Sequence, residues 1–116
     1  MVILQTKSAE KREIREKDIA WANAVKERDQ WSCVICGSTY APNAHHIIPR
    51  EVKEYKYEVD NGISLCVLHH KFSRKISAHN NPLAFFLWLQ RFRTPFFLLA
   101  TERTKRLLEG EGVIIS

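Results

Sequence analysis

A chain of 116 residues with 18 Lys and Arg against 13 Asp and Glu, net +5 with histidine neutral, fits one small domain and leaves no room for two of ordinary size. The charge favours polyanionic partners, nucleic acid before an anionic membrane surface. No apolar run approaches the ~20 residues of a membrane span, so no membrane partner is expected.

The start, MVILQTKSAEKRE, has no long apolar segment behind a basic one. A cytoplasmic, intracellular location without a signal peptide is therefore expected. Val2–Leu4 reads as a short strand or a loose end. From about residue 8 to 28 the pattern is helical, with Ile14, Trp21 and Val25 on one face, Ser8 as N-cap and a Glu13–Lys17 pair at i,i+4. Trp31 leads into Cys33-x-x-Cys36-Gly37, where glycine suits a tight turn. Ala44–Ile48 can extend as a strand that Pro49 ends. Arg50–Tyr57 reads as a loop or a loose turn of helix, Asp60-Asn61-Gly62 as a turn and Ile63–Leu65 as a second strand. After Cys66 a helix is expected to run to His79, with Leu68, Phe72 and Ile76 on one stripe and His70 and Arg74 on the opposite side. His79 is read as a favourable group at that helix's C-terminus. Asn81-Pro82 and Thr94-Pro95 start two more helices, ending near residue 109 with Gly110 as the closing residue.

The cysteines and histidines carry the chemistry. Three cysteines cannot pair off among themselves, and their spacing suits thiolate ligands in a reducing compartment. Zinc takes four tetrahedral N or S ligands, and two short-gap corners can supply them. Cys33, Cys36, Cys66 and His69 make such a set. His70 is adjacent, and a shift of one residue would exchange the two histidines; His69 keeps the two-residue gap after Cys66. With all four positions filled by protein the site is structural. Such a metal would add stability to a core this small. The gap between Cys36 and His45 is too short for a Cys2His2 finger.

Cys33, Cys36, His45, His46, Asn61, Cys66, His69 and His70, in this order and spacing, resemble the HNH nuclease family in its zinc-knuckle form. The resemblance covers about a third of the chain. It implies an α+β fold: a ββα-metal (His-Me finger) core at about 31–79 with a zinc knuckle, flanked by a helix at 8–28 and helices at 82–109. It also implies that His45 and His70 bind a catalytic divalent metal and that His46 is the general base. Asn61 would hold the His46 loop by side-chain to backbone hydrogen bonds, or touch the metal. Adjacent strand side chains point to opposite faces, so His45 and His46 must do different jobs. Two departures stand out. The commoner fourth zinc ligand is a cysteine, and many relatives have aspartate where His45 stands. Two imidazoles make a softer site, favouring Mn2+, Ni2+, Co2+ or Zn2+ over Mg2+.

Arg74, a turn beyond His70 on the expected helix, would face the scissile phosphate or a neighbour of it. Metal-assisted hydrolysis of DNA, nicking included, is the expected function, with 5′-phosphate and 3′-hydroxyl products by resemblance. The rival is a non-catalytic zinc-knuckle module that binds nucleic acid. Target sequence, viral origin and biological programme stay open. The 83–92 helix is apolar nearly all round. It is expected either to be sandwiched inside or to form a homodimer interface, and the dimer is slightly preferred.

Overall fold

In the computed structural model, which describes residues 2–114 and side chains from residue 7 onward, the chain opens with one long helix, α1 (Val2–Arg28). It has no Pro or Gly to stop it, so it runs back through Val2–Leu4, which are not a strand, and past Ser8, which is interior and not a cap. Lys26 and Arg28 in its last turn complement the helix dipole. Trp21 and Val25 are buried, whereas Ile14 is 49% exposed. The expected apolar face thus ends at Trp21, and residues 7–17 are exposed all round. The Glu13–Lys17 pair forms at 3.1 Å on this exposed stretch.

Two residues in left-handed conformation, Gln30 and Trp31, close α1, with Trp31 N–H donating to Lys26 O. The Arg28 guanidinium donates to the carbonyls of Val59 (2.8 Å) and Gly62 (2.7 Å). Asp29 accepts from the Ser64 amide at 2.9 Å. These bonds latch the end of α1 to the sheet.

The sheet is a two-stranded antiparallel ladder of β1 (Asn43–His46) and β2 (Gly62–Leu65), with His45 opposite Ile63 and His46 opposite Gly62. Strand pairing ends two residues earlier than expected. Ile47 and Ile48 are buried bends, because the Asn61 side chain takes over both backbone groups of Ile48. Gly62 is required by close approach: a Cβ there would fall 2.5 Å from Trp21 Cζ2 and from Val25 Cγ2.

The expected helix from Cys66 to His79 does not form. A single π-type turn spans Leu68–Phe72, and the chain then folds back so that Ala78 and His79 donate their amides to the carbonyls of His69 and His70. The side chains of Ser73, Ser77, Asn80 and Asn81 bond the backbone of this segment and compete with helix. Leu68 and Phe72 are exposed, so the expected apolar stripe is not a core face.

Asn81 caps α2 (Pro82–Phe92), its side chain accepting from Ala84 N–H at 3.2 Å. Phe85 and Leu89 are buried and join Cys33, Ile47, Ile63, Leu65, Cys66 and Ala78 in the core, with Phe96 and Phe97 of α3 (Thr94–Gly110) packed against it. Leu83, Leu87 and Phe92 on α2's other side are exposed. Helix α3 ends in a left-handed glycine, but at Gly112 (φ 85°) and not at Gly110. Gly112 donates to Glu109 O and Val113 to Leu108 O. The end of the 111–116 tail lies outside the described residues.

Candidate active site and metal centres

The knuckle forms where the loop after α1 meets the end of β2. Gly37, at φ 77°, permits the turn that lets its N–H reach Cys33 O at 2.8 Å. Cys36 and Cys66 sulfurs lie 3.7 Å apart, and His69 Nδ1 lies 3.7 Å from Cys33 Sγ and 3.3 Å from Cys66 Sγ. Two sulfurs bound to one tetrahedral zinc would lie about 3.8 Å apart, and sulfur and nitrogen about 3.5 Å. The four residues therefore fit zinc, and His69, not His70, is the histidine the cluster contains. Burial alone would raise the Cys33 thiol, but the backbone amides of Cys66, Cys36 and Ile35 outweigh it and lower it, favouring thiolate. Burial raises Cys36, as do the adjacent Cys33 and Cys66 side chains.

Beyond the knuckle the remaining imidazoles gather around one cleft. The strand period turns His45 toward the fold-back segment and His46 toward α1. His45 meets His70 and His79 edge-on, each with ring centroids 5.1 Å away. The Nε2 atoms of His70 and His79 are 3.1 Å apart. His45, His70 and His79 form a cluster whose candidate ligand atoms lie within 4.8 Å of one another. Burial first, then the facing histidines, hold His45 down to about 3. Burial, His79 and Lys71 hold His70 down to about 4. Both are thus neutral near pH 7 with lone pairs available. His70 Nδ1 is buried with no protein partner, and it is Nε2 that faces His79. The donor set fits a divalent metal of intermediate softness.

His46 stands apart from this cluster. Its Nε2 lies 3.0 Å from the Lys56 carbonyl. A carbonyl only accepts, so Nε2 carries the proton and Nδ1 keeps its lone pair. Burial pushes its pKa down. Its ring stacks on Trp21 with centroids 3.8 Å apart and planes 5° from parallel. Asn61 is 2% exposed. Its Oδ1 accepts from Ile48 N–H at 2.8 Å, and its Nδ2 donates to Ile48 O at 3.0 Å and Tyr55 O at 3.2 Å. It therefore ties together the loop that follows His46 and bonds to no metal-cluster residue.

His45, His46, His70 and His79 line one cleft of ≈ 660 Å³, with Arg50 and Lys71 at its wall. Two sequence expectations change here. His79 is not a helix cap; the fold-back brings it into the imidazole cluster. Arg74 is not on a helix face with His70: it is exposed in a bend and does not line the cleft. The run of Ser and Asn from Ser73 to Asn81 was the available signal for both changes.

An antiparallel strand pair followed by a helical turn, with a Cys3His cluster and a cleft lined by imidazoles, is a small α+β arrangement consistent with the ββα-metal fold. Residues 33–74 match the family model described as HNH endonuclease, so over this segment the resemblance drawn from the sequence holds. Comparison with curated proteins and with solved structures returns no match. The matched family is one of nucleases. Among the described residues no helix is long and apolar enough to cross a membrane.

Proposed function

We propose that this chain is a metal-dependent endonuclease that hydrolyses DNA phosphodiester bonds, with His46 as general base. The observation that carries the reading is the division of labour in one cleft. His46, with Nδ1 unprotonated, lines the same cleft as the three clustered imidazoles yet belongs to neither histidine nor cysteine cluster.

The net charge of +5 draws the polyanion in, and Arg50 and Lys71 hold phosphates at the cleft wall. His46 Nδ1 takes a proton from a water, whose oxygen attacks phosphorus as the bond to the 3′ oxygen breaks. The 3′ oxygen then gains a proton from solvent. His45, His70 and His79 would hold the divalent ion, which when bound would offset charge on the phosphate and on the leaving oxygen. Without a carboxylate in the set, Mn2+, Co2+, Ni2+ or Zn2+ suits the site better than Mg2+. Asn61 keeps the loop after His46 in shape, and the Cys3His cluster would hold structural zinc.

Supercoiled plasmid incubated with purified protein and a panel of divalent metals tests the reading. Metal-dependent conversion to nicked or linear forms is expected. Cleavage by His46→Ala at the wild-type rate would overturn the mechanism, and binding without cleavage in every metal would favour a nucleic-acid-binding module. A homodimer, if formed, uses the exposed Leu83, Leu87 and Phe92 of α2; sedimentation as a 13.6 kDa species across micromolar concentrations would exclude it.

A further inference from the structure

A general base works only if its lone pair points at the proton it takes. One hydrogen bond from His46 Nε2 to Lys56 O fixes one ring atom and leaves the ring plane free to pivot about it. A second restraint comes from α1, outside the segment that matches the nuclease family. The Trp21 indole lies flat on the imidazole, 3.8 Å between centroids and 5° between planes.

Trp21 is itself held in place. Its Nε1–H donates to Glu58 O at 2.8 Å, its six-membered ring rests against Gly62 where no Cβ intrudes, and it is 6% exposed. The same helix also fixes the stretch that carries the Lys56 carbonyl. Asp18 accepts from Tyr57 O–H at 2.9 Å and pairs with Lys56 Nζ at 3.3 Å. Both restraints on His46 thus trace back to one helical turn, Asp18 to Trp21.

We propose that Trp21 is a positioning residue for the reaction: it clamps the plane of the His46 imidazole so that Nδ1 faces the cleft. The proposal rests on the reading of His46 as general base. It makes α1 part of the active site, so the segment 33–74 alone is an incomplete enzyme.

Cleavage kinetics of full-length Trp21→Leu and Trp21→Phe with Mn2+ test this, alongside His46→Ala. Zinc content and far-UV circular dichroism verify the fold. Loss of orientation predicts that Trp21→Leu lowers kcat by about 10²-fold with KM for DNA unchanged. Trp21→Phe, which keeps a flat ring, recovers most of that rate. A second readout needs no activity: the His46 ring protons of the wild type, seen by NMR with labelled histidine, are shifted upfield by the indole ring current, and the shift shrinks in Trp21→Leu. A folded, zinc-loaded Trp21→Leu that cleaves at the wild-type rate while His46→Ala is inactive would overturn the role of Trp21 and leave the nuclease reading standing. Should Trp21→Leu fail to fold, the rate of Trp21→Phe and the wild-type proton shifts decide, and unshifted protons overturn the proposal. A wild type that cleaves DNA in none of the metals would instead sink the nuclease reading.

Discussion

His69 and His70 are neighbours in sequence and belong to different clusters. His69 joins three cysteines, two of them buried, in a set whose four ligand atoms lie within 4.8 Å of one another. His70 joins two other imidazoles on the wall of an open cleft. The first set fills four positions with protein and leaves none for chemistry, which is how a structural zinc site differs from a catalytic one. The second has three donors and faces space a substrate can enter. One π-type turn separates the roles by aiming consecutive side chains to different sides. The lesson is that donor chemistry alone does not assign function; closure and exposure do.

The largest effect should come from breaking the closed cluster. Cys33→Ser removes a thiolate from a site whose assembly is coupled to folding. Loss of zinc by elemental analysis together with loss of the cooperative thermal transition is expected, and chelation of the wild type should mimic it. A folded wild type that contains no zinc would remove the structural role. Breaking the open side should act differently. His46→Ala should keep fold, zinc and DNA affinity while losing about 10²–10⁴ in rate, the usual worth of a general base. His79→Ala sharpens the contrast further. Loss of a donor should raise the metal concentration for half-maximal cleavage by more than the ~10–100-fold typical of partners outside the coordination sphere. Titration of activity against Mn2+ reads this, and an unchanged midpoint would leave the cluster with only His45 and His70.

Much of this contrast is legible in the sequence, for physical reasons. Zinc corners need short gaps on tight turns, so Cys33–Cys36 and Cys66–His69 show at once. Strand alternation separates His45 from His46 before any coordinates are seen. What the sequence concealed was the fold-back after Phe72. Leu68, Phe72 and Ile76 at helical spacing read as a stripe, while Ser73, Ser77, Asn80 and Asn81 supply side-chain acceptors and donors that satisfy the backbone without a helix. His79 therefore reads as a cap and not as a member of a cluster. The partnership of Trp21 with His46 was hidden for another reason: it joins residues 25 apart through tertiary packing, and a buried tryptophan on a helix face looks like core. The start of α1 was misplaced because no residue there stops a helix, and a plausible cap such as Ser8 does not compel one to begin.

The smallest effect concerns which cation meets DNA. Arg74 was expected on a helix face beside His70, but the bend carries it away from the cleft, and Arg50 and Lys71 line the wall instead. Arg50 is exposed and sits 3.9 Å from Glu51, a loose pair that costs little to give up. A cation that neutralises one phosphate contributes about 0.9 to the slope of log affinity against log salt on duplex DNA. Arg50→Ala should therefore weaken binding modestly at low salt and flatten that slope by about 0.9, with folding and zinc unchanged. Arg74→Ala should leave the slope where it was. Fluorescence anisotropy with a labelled duplex, run for both variants across a salt series in Ca2+ to suppress cleavage, measures the two slopes side by side. The reverse order, a flattened slope for Arg74→Ala and none for Arg50→Ala, would mean that DNA runs past the fold-back segment and not along the cleft wall at Arg50.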